Sequence, residues 1–537
     1  MFMNWRIKKN ILILAAIILI GVFLRTYHFQ DYLRFNPDQA RDANIIREIA
    51  DKERPLPLLG PKAGGTEFRL GPAFYWLQYG SAKIFGSDPE KLAYPDLLFG
   101  LLSIPLLYIF LRKYFSRKTA LVSVALLAVS FYAVKYSRFA WNPNSAPFFS
   151  LMFLYALTEI VRLGQKRRLL WAAILGIAVG IGVQLHSVML FSFPIILLIY
   201  FIYLGVKKNP AWKRAWLVIL VAVFLNIPQL VNEFTSLEKN SRAFILALDA
   251  KSSRSATFVQ KVERTIICHI QANGFIISSA GSGNDCDLME ISSQLKKNKK
   301  DPAKNWKNAL IIANAVLSVA FSLGGYVLLI YFWRKEKDPD KKSFLGIISL
   351  YAAVLFVVLA PMALEISMRF FLPLMFIPFV LFGLWAKFLS GRFGKKGLTA
   401  MFILAAALAL LNVFSLKEKF DYLAGRAPEK GDFEEITLGE VEYMSRFMIE
   451  RSGGAKKSFL KGKRTDLFEI TKPIRYFSDE AGLEIIELRK GDEIKKDEKL
   501  FSVDVDKKTG QEDAGDGYDI ADRGVYGRIR IFELKAR

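Results

Sequence analysis

Long apolar runs, each closed by a polar or basic break, dominate the first 415 residues. Runs of spanning length lie at about 11–28, 95–111, 119–135, 145–161, 169–187, 188–206, 215–232, 308–333, 343–364, 369–388 and 397–415. About 20 residues rising 1.5 Å each cross a hydrocarbon core of ~30 Å, so the pattern predicts about 11 transmembrane helices. Two of the divisions split longer runs. A single rod over 169–206 would be ~57 Å long, too long for one span. The polar break Gln184-Leu185-His186-Ser187 supplies a turn there. Residues 343–388 divide in the same way at 364–369.

The pattern changes after Leu416, where spanning hydrophobicity ends and charge becomes dense. Residues 433–452 have helical spacing, whereas 482–488 and 527–534 read as strands. Thr509 to Gly517 reads as a turn-rich loop. The chain therefore divides into a membrane domain, 1–415, and a small soluble α/β domain, 416–537. Two long segments, 29–94 and 233–307, interrupt the spans. Within the first, Ile45, Ile46 and Ile49 share one helical side, and 72–85 carries Phe74, Tyr75, Trp76, Tyr79 and Phe85. Both stretches suit the membrane interface or packing on the spans.

Charge supplies the orientation. The chain is 53% hydrophobic and carries a formal charge of +24. Residues 416–537 net −2, so the membrane domain nets +26. With the N-terminus cytoplasmic, the alternate short loops at 6–9, 112–118, 162–168, 207–214, 334–342 and 387–396 face inward. They hold 24 Lys and Arg, whereas the short outer turns hold only Lys135, Arg138 and Arg369. Basic residues stay in the cytoplasm. The expected address is a cell membrane, multi-pass, with the long loops and the C-terminal domain extracytoplasmic. A basic excess distributed in this way argues against a nucleic-acid partner.

Candidate chemistry gathers at the outer ends of the spans. Pro37 is a good helix start, and Asp38 in the first turn suits the helix dipole. Asp38 and Asp42, four residues apart, share a face with Arg41 beside them. The local sequence serves equally as an acidic helix start and as a surface carboxylate acting as general base or metal ligand. Gly64 to Pro72 reads as a tight turn. Arg138 and Trp141, in Ser137-Arg138-Phe139-Ala140-Trp141-Asn142-Pro143, suit a phosphate and a sugar face, or an interfacial anchor pair. His186 sits at the next outer turn, and Glu365 and Arg369 flank the last one. Three histidines are too few and too scattered for a zinc cluster. Cys268 and Cys286 both fall in the 233–307 loop, where an oxidising exterior allows a disulfide contributing ~3 kcal/mol.

With these motifs in this order, the chain resembles the GT-C glycosyltransferases. The likeness is to the bacterial branch similar to protein O-mannosyltransferases and the lipid A aminoarabinose transferase (glycosyltransferase family 39-like). Gln184-Leu185-His186, Ile227-Pro228-Gln229 and Arg369-Phe370-Phe371-Leu372-Pro373-Leu374 carry the resemblance further. It implies an enzyme that passes a sugar from a polyprenyl-phosphate donor to a lipid, polysaccharide or protein acceptor outside the cytoplasm. Asp38 matches the catalytic acid, with Asp42 as a second candidate. Arg41, Lys62, Arg69, Arg138 and Arg369 become candidates for the donor phosphate; Trp141, Asn142, His186 and Glu365 complete the expected substrate set. Gln39 stands where many relatives carry a second acid, which weakens a metal role, although a divalent metal stays possible. No other cofactor is implied. Arg69-Leu70-Gly71-Pro72 departs from relatives with His before Pro. The competing readings are a transporter or lipid flippase, and an assembly or sensor protein. A transporter would place polar groups at mid-depth on repeated elements, and these spans are nearly free of mid-depth charge.

Overall fold

A computed structural model of the chain describes residues 5–252, 256–279, 305–426, 433, 435–489, 492, 494, 498–505 and 517–537. Helices predominate. The membrane domain runs α1 (Trp5–Thr26), α2 (Pro37–Ala50), α3 (Ala73–Phe85), α4 (Tyr94–Leu111), α5 (Arg117–Val129), α6 (Phe131–Lys135), α7 (Ala146–Val161), α8 (Arg168–Leu185) and α9 (Ser187–Val206). It continues with α10 (Ala215–Leu225), α11 (Ile227–Thr235), α12 (Lys239–Ser252), α13 (Phe258–Ser278), α14 (Asn305–Lys335), α15 (Pro339–Leu359) and α16 (Ile377–Leu423). Among the described residues seven helices are long and apolar enough to span, or eight if the 57° bent pair Pro210–Leu225 and Ile227–Thr235 counts as one. The chain is a multi-pass membrane protein.

The difference from eleven expected runs lies in how helices break and join. The run at 119–135 is interrupted at Ser130, whose hydroxyl caps α6 and donates to the Ile276 carbonyl at 2.7 Å. The run at 145–161 forms the 16-residue α7. The runs at 369–388 and 397–415 meet inside the 47-residue α16, which reverses at Gly394 (φ 57°). A Cβ on Gly397 would lie 2.2 Å from the Leu389 carbonyl oxygen. Eight residues of continuous helix would separate those positions by about 12 Å, so α16 is two helices folded back. Its second arm runs eight residues past the expected boundary, to Leu423.

The segment 233–307 holds more packed structure than an exterior loop suggests. α13 buries its C-terminal half against α14 and α16. Asn412 of α16 donates to the Ile277 carbonyl at 2.9 Å. Cys268 is buried on α13; Cys286 lies outside the described residues, and the expected disulfide with it. Most of the Thr509 to Gly517 loop also lies outside them.

The tail forms a five-stranded sheet of order β2-β1-β3-β5-β4, from β1 (Lys457–Lys461), β2 (Glu484–Glu487), β3 (Lys499–Val505), β4 (Tyr518–Tyr526) and β5 (Ile529–Ala536). β1 pairs in parallel with β2 and β3, and β5 is antiparallel to β3 and β4. Helices α17 (Leu438–Ser452) and α18 (Arg464–Ser478) pack beside it. A capping box, Thr437 with Glu440, starts α17.

The tail is docked on the segment that leads into α2. The Phe35 amide donates to the Ile436 carbonyl at 2.9 Å, and the Leu438 amide to the Leu33 carbonyl at 2.7 Å. α18 lies against α2 itself, where Arg47 bonds Glu480 and stacks on the Tyr476 ring at 4.5 Å. Lys135 and Lys419 both pair with Glu435 at the same junction. Burial alone would raise the Glu435 carboxyl; the two lysines outweigh it and hold it well below the usual carboxylate range.

Candidate active site

The site is built on α2, and local sequence explains its start. Pro37 occupies the first turn. The Asn36 side chain accepts from the Asp38 amide at 3.2 Å, while the Gln39 side chain accepts from the Asn36 amide at 3.3 Å. Gln39 also donates to the Ala140 carbonyl at 3.1 Å, tying α2 to the loop after α6. The residue in the place of a second acid is thus a structural clasp.

Asp38 is half exposed, and Arg41 donates to it through Nη1 at 2.8 Å. The other two donor positions of Arg41 grip Asp42: Nε at 2.9 Å and Nη2 at 3.1 Å. Asp42 is buried at 1% exposure beneath this fork, and the Tyr75 hydroxyl donates to it at 2.9 Å. Burial pushes the Asp42 carboxyl up, against the pull of Arg41. Burial, and then Asp42, push the Tyr75 hydroxyl up, so it stays a proton donor. Burial opposes the Arg41 charge, but Asp42 and Asp38 hold its pKa above the ordinary value. Asp42 therefore lies behind the cavity, outside its lining. It is the anchor of the arginine that orients Asp38.

These groups open on a cavity of about 510 Å³. Of the expected residues, Asp38, Arg41, Lys62, Trp141, Asn142, His186 and Arg369 line it. The hairpin 60–71 makes one wall. Lys62 bridges Arg69 across it, and the reversal uses Gly64 (φ 31°) and Gly65 (φ 72°). Lys62 pairs with the exposed Glu67 at 2.7 Å. Trp141 and Phe370 make another wall, with the Arg369 guanidinium over both rings at 5.7 and 5.3 Å. Among the described residues Arg369 has no carboxylate partner.

Besides Asp42, four expected site residues lie elsewhere or work differently. The Arg138 guanidinium is spent on the end of α1, donating to the carbonyls of Leu24 (3.0 Å), Tyr27 (2.7 Å) and His28 (3.3 Å). It satisfies helix-terminal carbonyls and lies outside the cavity lining. Arg69 is outside the lining; its amide and carbonyl are held by Asn240, and its side chain turns to the Gly60 carbonyl. Glu365 ends the 3-10 turn Ala360–Glu365, also outside the lining. His186 lines the cavity with both ring nitrogens engaged. Nδ1 accepts from the Val188 amide at 3.1 Å, which leaves Nε2 to donate to the Arg369 carbonyl at 3.3 Å. Burial lowers its pKa to about 4, so it is a neutral strut holding the Arg369 segment.

Sequence reasoning missed Tyr75 as a hydrogen-bond donor, and it missed the aromatic wall Phe68, Phe191 and Phe244, drawn from three separate segments. It also missed Asp96, which accepts from the Trp141 amide at 3.1 Å and from Ser145, shaping the Trp141 loop. An acid at the start of an apolar run was the available signal for Asp96. Among the described residues no three of His, Cys, Asp and Glu gather as a metal cage does. Asp38 is turned to Arg41 and Gln39 to the backbone, a donor set that does not fit a resident divalent ion.

Residues 70–231 match the family model described as dolichyl-phosphate-mannose-protein mannosyltransferase. No curated protein sequence matches the chain. Among solved structures, the Archaeoglobus fulgidus oligosaccharyltransferase complex with zinc and sulfate superposes with a TM-score of 0.50 at 13% identity. The match covers 88% of this chain and 62% of that one, so this chain spans under two thirds of that relative's length. The chain has the GT-C glycosyltransferase fold. Two further structures align at lower scores. Apo ArnT from Cupriavidus metallidurans gives 0.48 at 12% identity, covering 98% of each chain. The S. cerevisiae protein O-mannosyltransferase Pmt1-Pmt2 complex bound to its sugar donor gives 0.34 at 17%, covering 43% of this chain and 34% of that one. In this chain the matched segment begins at the end of the cavity hairpin and ends in α11; Asp38 precedes it.

Proposed function

We propose that the chain is an integral membrane glycosyltransferase. It moves a sugar from a polyprenyl-phosphate donor to an acceptor hydroxyl on the extracytoplasmic side, and Asp38 is the base. The carrying observation is that Asp38 and Arg369, a cation with no carboxylate partner among the described residues, line one cavity. The family match, the fold and the concentration of Lys and Arg in alternate short loops support the same reading.

The acceptor hydroxyl gives its proton to the Asp38 carboxylate as its oxygen attacks the anomeric carbon. The bond from that carbon to the phosphate oxygen breaks, and the polyprenyl phosphate leaves with the electron pair. Negative charge grows on that phosphate, and a fixed guanidinium stabilises it in the transition state. Arg369 supplies it, assisted by Lys62. All three Arg41 guanidinium nitrogens are engaged by Asp38 and Asp42, so its first task is orientation. Trp141 presents a ring face against which a sugar stacks.

The test uses purified protein in vesicles with a panel of labelled polyprenyl-phosphate sugars. Arg369→Ala is expected to lower kcat about 10²- to 10³-fold, the cost of losing one transition-state donor. Unchanged transfer in that variant, or no turnover of any donor by the wild type, rejects the reading.

A further inference from the structure

The chain that follows α10 turns an apolar face outward. α11 repeats Ile227, Leu230, Val231 and Phe234 at helical spacing, and all four are exposed, Phe234 at 83%. No residue of α11 is buried, and its polar groups bond to neighbouring backbone and to the next helix. Asn226 donates to the carbonyls of Gly180 (3.0 Å) and Ala222 (2.8 Å). Glu233 accepts from the Ser241 amide at 2.8 Å and from its hydroxyl at 3.0 Å. A surface helix in water shows the opposite arrangement, with its apolar stripe toward the core.

The stripe continues on α10, the other arm of the bent pair. Behind the bend it extends the exposed Ile219, Leu220, Val223 and Phe224 of α10. Ahead it passes to Leu237 (78% exposed), then Ile245 and Leu246 of α12. The exposed cations Lys239 and Arg242 flank it. Apolar residues beside basic ones on a short helix are the composition of an interfacial helix. The inner side of α12 does different work: Phe244 and Ala247 line the cavity, and Asn240 holds Arg69 by two backbone bonds of 2.8 and 3.0 Å. One helix thus separates the stripe from the cavity that holds Asp38.

We propose that α11 and α12 are seated in the bilayer interface on the cavity's side, as the lipid-facing wall of the active site. The partner is the lipid surface, because the stripe has no break from the lipid-facing side of α10. A lipid-linked substrate then reaches Asp38 sideways, past α12. Only that direction of entry rests on the glycosyltransferase reading; the membrane seat stands apart from it.

The experiment is photolabelling of the wild-type protein in vesicles. The phospholipid carries a diazirine near the top of one acyl chain, and labelled peptides are mapped by mass spectrometry. The expected result is labelling of 227–246 as heavy as that of 216–224, with the tail blank at its exposed Phe468. A blank 227–246 beside a labelled 216–224 overturns the inference. Labelling needs no turnover, so an inactive protein with a labelled stripe rejects the catalytic reading and leaves this one standing.

Discussion

Two buried arginine networks in this chain use the same parts for different ends. In the active site Arg41 grips Asp42, and Tyr75 bonds the same carboxylate. At the tail junction Arg528 grips Glu440 at 2.8 Å and bonds the Tyr422 hydroxyl. The tail network is closed: Arg528 is 2% exposed, and its remaining donor goes to the Glu435 carbonyl at 3.2 Å. The site network is open: Arg41 is half exposed, and its remaining donor reaches Asp38 at the cavity. A fully satisfied network gives a fixed joint, whereas one left with a single outward arm gives a positioned reactive group. Burial of an Arg–carboxylate pair with good geometry is therefore no guide to function until its last donor is traced.

The sharpest way to break the comparison is at the outward arm. Asp38→Asn keeps the shape and removes the base, and general-base catalysis contributes about 10²- to 10⁴-fold. Transfer is expected to fall by that factor while the folded yield in detergent stays at the wild-type level. Wild-type rates in Asp38→Asn remove the catalytic assignment.

Asp42→Asn attacks the same network one step back. An amide cannot accept both arms of the Arg41 fork, so Arg41 and with it Asp38 lose their fixed geometry. Displacements near 1 Å in a reacting group cost about 10²-fold, and kcat is expected to drop roughly 10- to 100-fold. The donor KM stays near its wild-type value, because Asp42 is not in the cavity lining. A change confined to KM assigns Asp42 to substrate instead.

Arg528→Ala probes the closed network. It leaves Glu440 buried and unpaired, a loss of about 3–5 kcal/mol for such a pair. Thermal unfolding is expected at a clearly lower temperature, with kcat of the folded fraction reduced far less than in Asp42→Asn. An equal loss of kcat in both variants makes the tail a part of the catalytic apparatus, acting through the Phe35–Ile436 and Arg47–Glu480 contacts on α2.

Short-range features of this architecture were legible in the sequence. The start of α2 follows from Pro37 and Asp38, the hairpin from Gly64 and Gly65, and two of the five tail strands, β2 and β5, from their residue pattern. Seven expected site residues converge because motifs at one end of each span are brought together by the bundle itself. Long-range choices were not legible. Nothing near Arg138 states that its partners are carbonyls over a hundred residues earlier. Tyr75 reads as an aromatic face until Asp42 is seen 2.9 Å from its hydroxyl. The 233–307 segment reads as exterior because its helices are partly charged, although α13 packs on spans and α12 walls the cavity.

Arg138 carries the smallest expected effect on transfer, and it separates motif from mechanism. It sits between Ser137 and Trp141, in a loop that resembles a substrate-binding motif, yet its guanidinium lies among three carbonyls at the end of α1. Burial has already lowered its pKa to about 10, far enough above neutrality that the charge persists. Arg138→Gln retains two amide protons for those carbonyls and loses the charge. Hydrogen bonds from charged groups are worth about 1.5–3 kcal/mol each, so unfolding should move to lower temperature. The donor KM should stay within a factor of about two, since less than 0.5 kcal/mol separates values that close. A tenfold rise in donor KM with unfolding unchanged would return Arg138 to the phosphate site and show that α1 is terminated by something else.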